Sequence, residues 1–149
     1  MEQEEGTLRV GIVGSGSWAT AISKMLLHNV PTLNWHVRDQ KNINLFIKTK
    51  HNPNYLSAVE FDVNRIMFST DINEIVSQSD IIIFAVPSAF LKPLLSNLTV
   101  PMENKYVISA IKGLVPDENM IVGSYLHKTY NIPLNNIGVI SGPCHAEEV

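Results

Sequence analysis

A glycine-rich hexapeptide directly behind the first β-branched run limits this chain more than any other feature. Leu8–Val13 reads as a strand, Gly14-Ser15-Gly16-Ser17-Trp18-Ala19 follows, and a helical pattern runs on to about Asn29. A strand that ends in G-x-G-x-x-A and turns straight into a helix fits the dinucleotide-binding fingerprint in the context that motif demands. Each small residue has a task. Gly14 makes the tight turn, Gly16 has no Cβ and lets the backbone approach a pyrophosphate, and Ala19 lets the helix pack closely on the sheet. Free N–H groups at the helix start then face the phosphates. The competing reading is a plain tight turn in some other doubly wound fold.

The remainder of the chain repeats the strand-then-helix pattern. Strands are expected at Leu33–Val37, Ile66–Phe68, Ile81–Val86, Tyr106–Ala110 and Ile137–Ile140. Helices are expected through Asn42–Lys50, Asp71–Ser77 (capped by Ser69 or Thr70), Phe90–Leu98 with Pro93 in its first turn, and Glu118–Tyr130. In the first helix, Trp18, Ala21, Ile22, Met25 and Leu26 form the apolar face. Ile81–Val86 is apolar throughout, as befits a central strand buried on both faces. This order predicts an α/β, Rossmann-like doubly wound fold with a mainly parallel sheet, forming one dinucleotide-binding domain over residues 1–149.

In such sheets ligands bind beyond the carboxyl ends of the strands, so the residues after each strand are the candidates. Arg38-Asp39 ends the second strand, where an acidic group accepts from the ribose 2′-hydroxyl of NAD and an arginine favours the 2′-phosphate of NADP. Both are present. Arg38 tilts the choice toward NADP, and Asp39 serves equally well as a helix cap. Val86-Pro87-Ser88 offers either an apolar wall beside the cofactor or a strand stop with a Ser88 cap. Lys112-Gly113 places an ammonium where it faces a ligand phosphate or hydroxyl, or simply solvent. Ser141-Gly142-Pro143 breaks the last strand, Ala146–Val149 reads as the opening turn of a helix, and Cys144–Ala146 would present N–H groups at its N-terminus, a second anion site. On composition alone Cys144 and His145 read as structural, and Glu147 and Glu148 as solvated.

Bulk properties exclude several classes. The chain has 149 residues with 45% apolar and 17% charged side chains, enough to build a core. A net charge of −3 argues against a general nucleic-acid binder. Cys144 is the single cysteine, which rules out an internal disulfide and suits the cytoplasm. The start Met1–Gly6 is acidic, unlike the basic n-region of a signal peptide, so no targeting segment is expected, and the apolar run Ile81–Leu91, broken by Pro87, is too short to span a bilayer. No metal-ligand spacing of Cys, His or acids occurs, so no metal is expected.

Five fragments, in order, resemble the signatures of NAD(P)-dependent glycerol-3-phosphate dehydrogenases of bacterial type: Gly14-Ser15-Gly16-Ser17-Trp18-Ala19-Thr20-Ala21, Asn52-Pro53-Asn54-Tyr55-Leu56, Ala85-Val86-Pro87-Ser88, Ile111-Lys112-Gly113-Leu114, and Ser141-Gly142-Pro143 through Ala146-Glu147-Glu148. The resemblance implies reduction of dihydroxyacetone phosphate to sn-glycerol 3-phosphate by NADH or NADPH, feeding phospholipid synthesis. It places Ser17, Trp18, Arg38 and Ala146 at the cofactor, Lys112 at cofactor and substrate, and Gly142 and Cys144 at the substrate. Two departures stand out: Ala19 replaces the usual glycine, and Cys144 stands where the family has serine or threonine. A thiol is a poor donor, which puts a side-chain contact of Cys144 with substrate in doubt. The family's second, helical domain, with its general acid/base lysine, has no counterpart before Val149. The expectation is therefore a fragment inactive alone and, for the whole protein, a homodimer. The alternatives are a non-catalytic NAD(P) sensor and another hydroxy-acid dehydrogenase.

Overall fold

Short runs of buried β-formers pair side by side in the computed structural model, which describes residues 6–141. The six strands of the main sheet are β1 (Val10–Val13), β2 (Leu33–His36), β3 (Ile66–Ser69), β4 (Ile81–Phe84), β5 (Tyr106–Ser109) and β8 (Ile137–Val139). Their order is β3-β2-β1-β4-β5-β8, every neighbour parallel. That is the doubly wound order expected. The helices are α1 (Ser17–Leu26), α2 (Gln40–Thr49), α3 (Ile72–Ser77), α4 (Ser88–Leu95) and α5 (Val122–Tyr130). Two cores flank the sheet. One gathers Ile12, Ala19, Ile22, Trp35, Ile43 and Phe46 under α1 and α2, and the other gathers Ile75, Phe84, Leu91 and Leu126 under α3, α4 and α5. Trp35 sits at the centre of the first, with Phe46, Phe61 and Phe68 at ring centroid distances of 5.3, 5.6 and 5.8 Å.

Several boundaries and faces differ from expectation, each for a local reason. The buried face of α1 is Ala19, Thr20, Ile22 and Ser23, whereas Trp18 and Met25 are exposed. Ala19, Thr20 and Ser23 let α1 pack close to the sheet, Ile22 enters the core as expected, and Trp18 and Met25 turn outward. Asp71, not Ser69 or Thr70, caps α3 by accepting from the Asn73 N–H at 2.9 Å; the Ser69 hydroxyl accepts from the N–H of Asp71 itself. Asp39 caps α2 by accepting from the Lys41 N–H at 2.8 Å, which moves that helix start to Gln40. Ser88 caps nothing: the N-cap of α4 is Pro87, with no side-chain bond. Pro93 lies late in α4, not in its first turn.

The largest departure is Glu118–Tyr130. Only Val122–Tyr130 is helical, because a small antiparallel hairpin, β6 (Leu114–Val115) with β7 (Met120–Ile121), precedes it. Asp117 and Asn119 take left-handed conformations, with φ of 67° and 52°, in the turn between them. The end of α1 is held in a way the local sequence does not announce. Arg65, far along the chain, donates to the carbonyls of Leu27, Val30 and Pro31.

Candidate functional site at the carboxyl edge of the sheet

Because all six strands run the same way, every expected site residue inside the described range falls on one edge. The sheet order reverses between β1 and β4, where connections leave to opposite faces, and this opens a crevice at their carboxyl ends. The ladder continues one residue past each strand. Val37 N–H donates to Ser69 O, Ala85 to Val13 O, Ala110 to Phe84 O and Ile140 to Ser109 O. The loops therefore leave a firm, level rim. Along it stand Arg38 after β2, Gly14–Trp18 after β1, Val86-Pro87-Ser88 after β4, and Lys112-Gly113 after β5. Gly142, Cys144 and Ala146 lie outside the described residues.

The two fingerprint glycines have different reasons to be glycine. Gly14 has φ +119°, and a Cβ there would lie 2.2 Å from the Ala85 carbonyl oxygen. It is required by the fold itself, as the seam between the β1 and β4 loops. Gly16 is in extended backbone, φ −74° and ψ −174°, and a Cβ there would meet nothing within 4 Å. No described residue needs that glycine. The space above it is open, as a site for the close approach of a ligand must be.

The loop's three carbonyls are all held from behind. The buried Trp35 indole N–H donates to Gly14 O at 2.7 Å, Asn52 Nδ2 donates to Ser15 O at 3.1 Å, and the Thr20 hydroxyl donates to Gly16 O at 2.7 Å. No peptide bond among the described residues is cis. In a planar trans peptide the C=O of one residue and the N–H of the next point in opposite directions. Holding the carbonyls of residues 14, 15 and 16 inward therefore turns the N–H groups of Ser15, Gly16 and Ser17 outward. None of these three donates a hydrogen bond to another described residue. They join the partial positive charge at the start of α1. A row of outward amides at a helix N-terminus beside an open approach fits a diphosphate.

The other candidates are arranged as follows. Ser17 and Trp18 are exposed, Trp18 at 43%. Arg38 is exposed and makes no hydrogen bond or ion pair to a described residue, so its guanidinium is available to a ligand. Asp39 is engaged as the α2 cap. Lys112 is exposed; Gly113, with φ +83°, lies beside Ser88, so the β4 and β5 loops meet there. His36, at the end of β2, is buried with Nε2 3.1 Å from Thr70 O, and burial lowers its pKa. Among the described residues no group of three or more His, Cys, Asp or Glu could hold a metal, and no helix is long and apolar enough to cross a membrane. A separate shallow concavity lined by Lys24, Lys50, Glu60, Phe61 and Asn64 lies at the opposite end of α1.

Three members of the site were not identified as such from sequence. Trp35 reads as a core residue, and its one signal is that a buried indole N–H needs an acceptor. Thr20 reads as a helix residue. Asn52 is visible as a turn former, but not as a partner of the glycine loop.

Comparison with known proteins agrees with this geometry. Residues 9–149 match the sequence model of the family described as NAD-dependent glycerol-3-phosphate dehydrogenase N-terminus. A glycerol-3-phosphate dehydrogenase [NAD(P)+] of Agathobacter rectalis is 31% identical over 143 residues, covering 95% of this chain and 41% of the relative. The protein of the same description from Nitrosococcus oceani is 34% identical, covering 100% of this chain and 43% of the relative. Among solved structures, Plasmodium falciparum glycerol-3-phosphate dehydrogenase superposes with a TM-score of 0.80 at 25% identity, covering 97% of this chain and 43% of that one. The chain thus spans about two-fifths of the length of these proteins.

Proposed function

The chain belongs to the N-terminal family of NAD-dependent glycerol-3-phosphate dehydrogenases, and on that premise we propose that it binds NAD or NADP across the carboxyl edge of its sheet as the cofactor-holding part of such an enzyme. The observation that carries the reading is the loop at residues 14–17: three outward, unengaged amides beside a glycine whose missing Cβ leaves open space. The diphosphate is assigned to the N–H groups of Ser15, Gly16 and Ser17. Ser17 and Trp18 flank it at the start of α1. Arg38 is assigned to the adenosine ribose, where its free guanidinium suits a 2′-phosphate and favours NADP. Asp39 caps α2 through Oδ1, and its second carboxylate oxygen is left for a ribose hydroxyl. Ala146 is a further cofactor contact.

When bound, the nicotinamide supplies hydride chemistry. The reaction assigned to the whole protein is interconversion of dihydroxyacetone phosphate and sn-glycerol 3-phosphate. Lys112 is assigned to both cofactor and substrate: an ammonium beyond β5 offsets negative charge on either. Gly142 and Cys144 are assigned to the substrate. Hydride transfer also needs a proton donor held in place. That group, a lysine, is assigned to a helical substrate domain of the kind that the rest of the relatives' length has room for, and the whole protein to a cytoplasmic homodimer. The 149-residue chain alone is then expected to bind cofactor and not to turn over.

Isothermal titration of the chain with NADPH and NADH tests the proposal. Saturable binding of at least one is expected. Well-folded protein that takes up neither refutes it, and robust reduction of dihydroxyacetone phosphate by the isolated chain refutes the division of labour.

A further inference from the structure

Asn52 lies 36 residues beyond Gly16, outside the glycine motif, yet its side chain reaches the back of the loop. It is 3% exposed, and every polar capacity it has is used inward. Its Nδ2 donates to Ser15 O at 3.1 Å and to the Thr20 hydroxyl oxygen at 2.8 Å. Its Oδ1 accepts from the N–H of Asn54 at 2.9 Å and of Tyr55 at 3.2 Å. Thr20, fully buried, passes the connection on: with its own proton it donates to Gly16 O. One amide therefore fixes two carbonyls of the loop, one directly and one through a hydroxyl. It also locks the 52–55 turn against the same loop. An amide suits the position because both donor and acceptor ends are needed; a carboxylate lacks the donor and an alkyl group lacks both.

We propose that Asn52 is a positioning residue for the dinucleotide cradle, setting the outward direction of the Gly16 and Ser17 amides through Ser15 O and the Thr20 hydroxyl without touching the ligand. The proposal rests on the dinucleotide reading above. Loss of these bonds frees the Ser15 carbonyl and leaves the Gly16 carbonyl held only by the Thr20 N–H at 3.0 Å, so that the amides must be reordered when a diphosphate binds. The cost falls on affinity.

The test measures dissociation constants of ADP-ribose and NADPH for the 149-residue chain by calorimetry, alongside circular dichroism to certify folding. Asn52→Ala and Asn52→Asp are each expected to weaken both ligands by about tenfold or more, the worth of one to two lost hydrogen bonds. Thr20→Val, which keeps the β-branched shape and removes the hydroxyl, is expected to act in the same direction. Thr20→Ser, which restores the hydroxyl, is expected to bind within about threefold of the parent. The rescue by serine is what a merely structural role in packing would not produce, since serine packs worse than valine here. Should Asn52→Ala fail to fold, the Thr20 pair decides. Folded Asn52→Ala and Thr20→Val binding as tightly as the parent overturn the proposal, as does Thr20→Ser binding as weakly as Thr20→Val. A parent chain that binds neither ligand overturns the dinucleotide reading itself, a distinct result.

Discussion

Replacing each fingerprint glycine by alanine separates what the fold requires from what a ligand requires. At Gly14, φ is +119° and the new methyl would lie 2.2 Å from Ala85 O and 2.8 Å from the Ala85 carbonyl carbon. Ala85 cannot yield, because its own N–H is committed to Val13 O at 2.8 Å, in the rung that joins β1 to β4. Backbone strain costs about 1–3 kcal/mol and overpacking about 1–3 kcal/mol more, against a typical domain stability of about 5–15 kcal/mol. At Gly16 the methyl meets nothing within 4 Å and the extended conformation is open to any residue. Losing glycine at an N-cap costs roughly 0.5–1 kcal/mol, and removing glycine's freedom from the unfolded chain returns about 0.4–1 kcal/mol. Stability should hold within about 0.5 kcal/mol.

Binding should invert that order of effects. A methyl inserted at the closest approach of a diphosphate costs about 1–3 kcal/mol, or roughly 5- to 150-fold in affinity. Urea denaturation followed by circular dichroism reads the first quantity, and calorimetry with NADPH the second. Gly14→Ala should lower the urea midpoint by about 1–3 M at a typical slope near 2 kcal/mol per M. Gly16→Ala should leave the midpoint in place and weaken the cofactor. Gly16→Ala protein that binds NADPH as the parent does would show that the diphosphate does not pass over residue 16, and residues 14–17 would lose their assignment as its cradle.

Arg38→Ala should weaken NADPH more than NADH and leave stability unchanged, since the side chain is exposed and engages no described residue; equal losses in paired titrations would remove Arg38 from the 2′-phosphate. His36 has its pKa lowered from the usual 6.5 chiefly by burial, so the unfolded chain takes up a proton first as the medium is acidified. Its contribution to stability is then fully present above pH 6.5 and lost as pH falls toward the depressed value; urea midpoints across that range should fall for the parent and fall less for His36→Asn. Tyr130 has its pKa pushed from 10.0 up to about 12, first by burial and then by its neighbour Tyr125. It should ionise late in an ultraviolet titration, with stability lost above pH 10, where the unfolded phenol begins to ionise; a tyrosine absorbance that rises with a single pKa of 10.0 would refute this.

The architecture was readable because it is written in local pattern. Apolar runs such as Ile81–Val86 and the intervening helical periods fix a parallel doubly wound sheet, and the sheet fixes where the loops end up. The cap positions differ for local reasons, since Asp39, Asp71 and Pro87 start their own helices; in the other misreadings contacts beyond the segment overrode a local preference. Trp18 and Met25 are apolar yet face out, because α1 turns the face with Ala19, Thr20, Ile22 and Ser23 to the sheet. Residues 118–121 read as helix until the pairing of β6 with β7 is seen. Gly11, an ordinary strand residue by pattern, is glycine because Ser79 Oγ lies 2.4 Å from where its Cβ would be.

The site divides along the same line. Gly14, Gly16, Ser17 and Trp18 were visible because the group that binds and the group that shapes the turn lie within six residues of each other. What orients that turn is not. Its carbonyls are held by Trp35 of β2, Thr20 of α1 and Asn52 of the segment after α2, through bonds spanning 21, 4 and 37 residues. The Trp35 bond lies deep in the aromatic core, so the angle of the loop is coupled to the packing of Phe46 and Phe61 around that ring. A glycine-rich loop is flexible by composition, and flexible amides bind anions poorly, because ordering them consumes affinity. The motif supplies permission for close approach, and the distant side chains supply the rigidity that makes the approach productive. A sequence that kept all the fingerprint residues and lost Asn52 and Trp35 would still match the pattern, and on this reasoning would bind weakly.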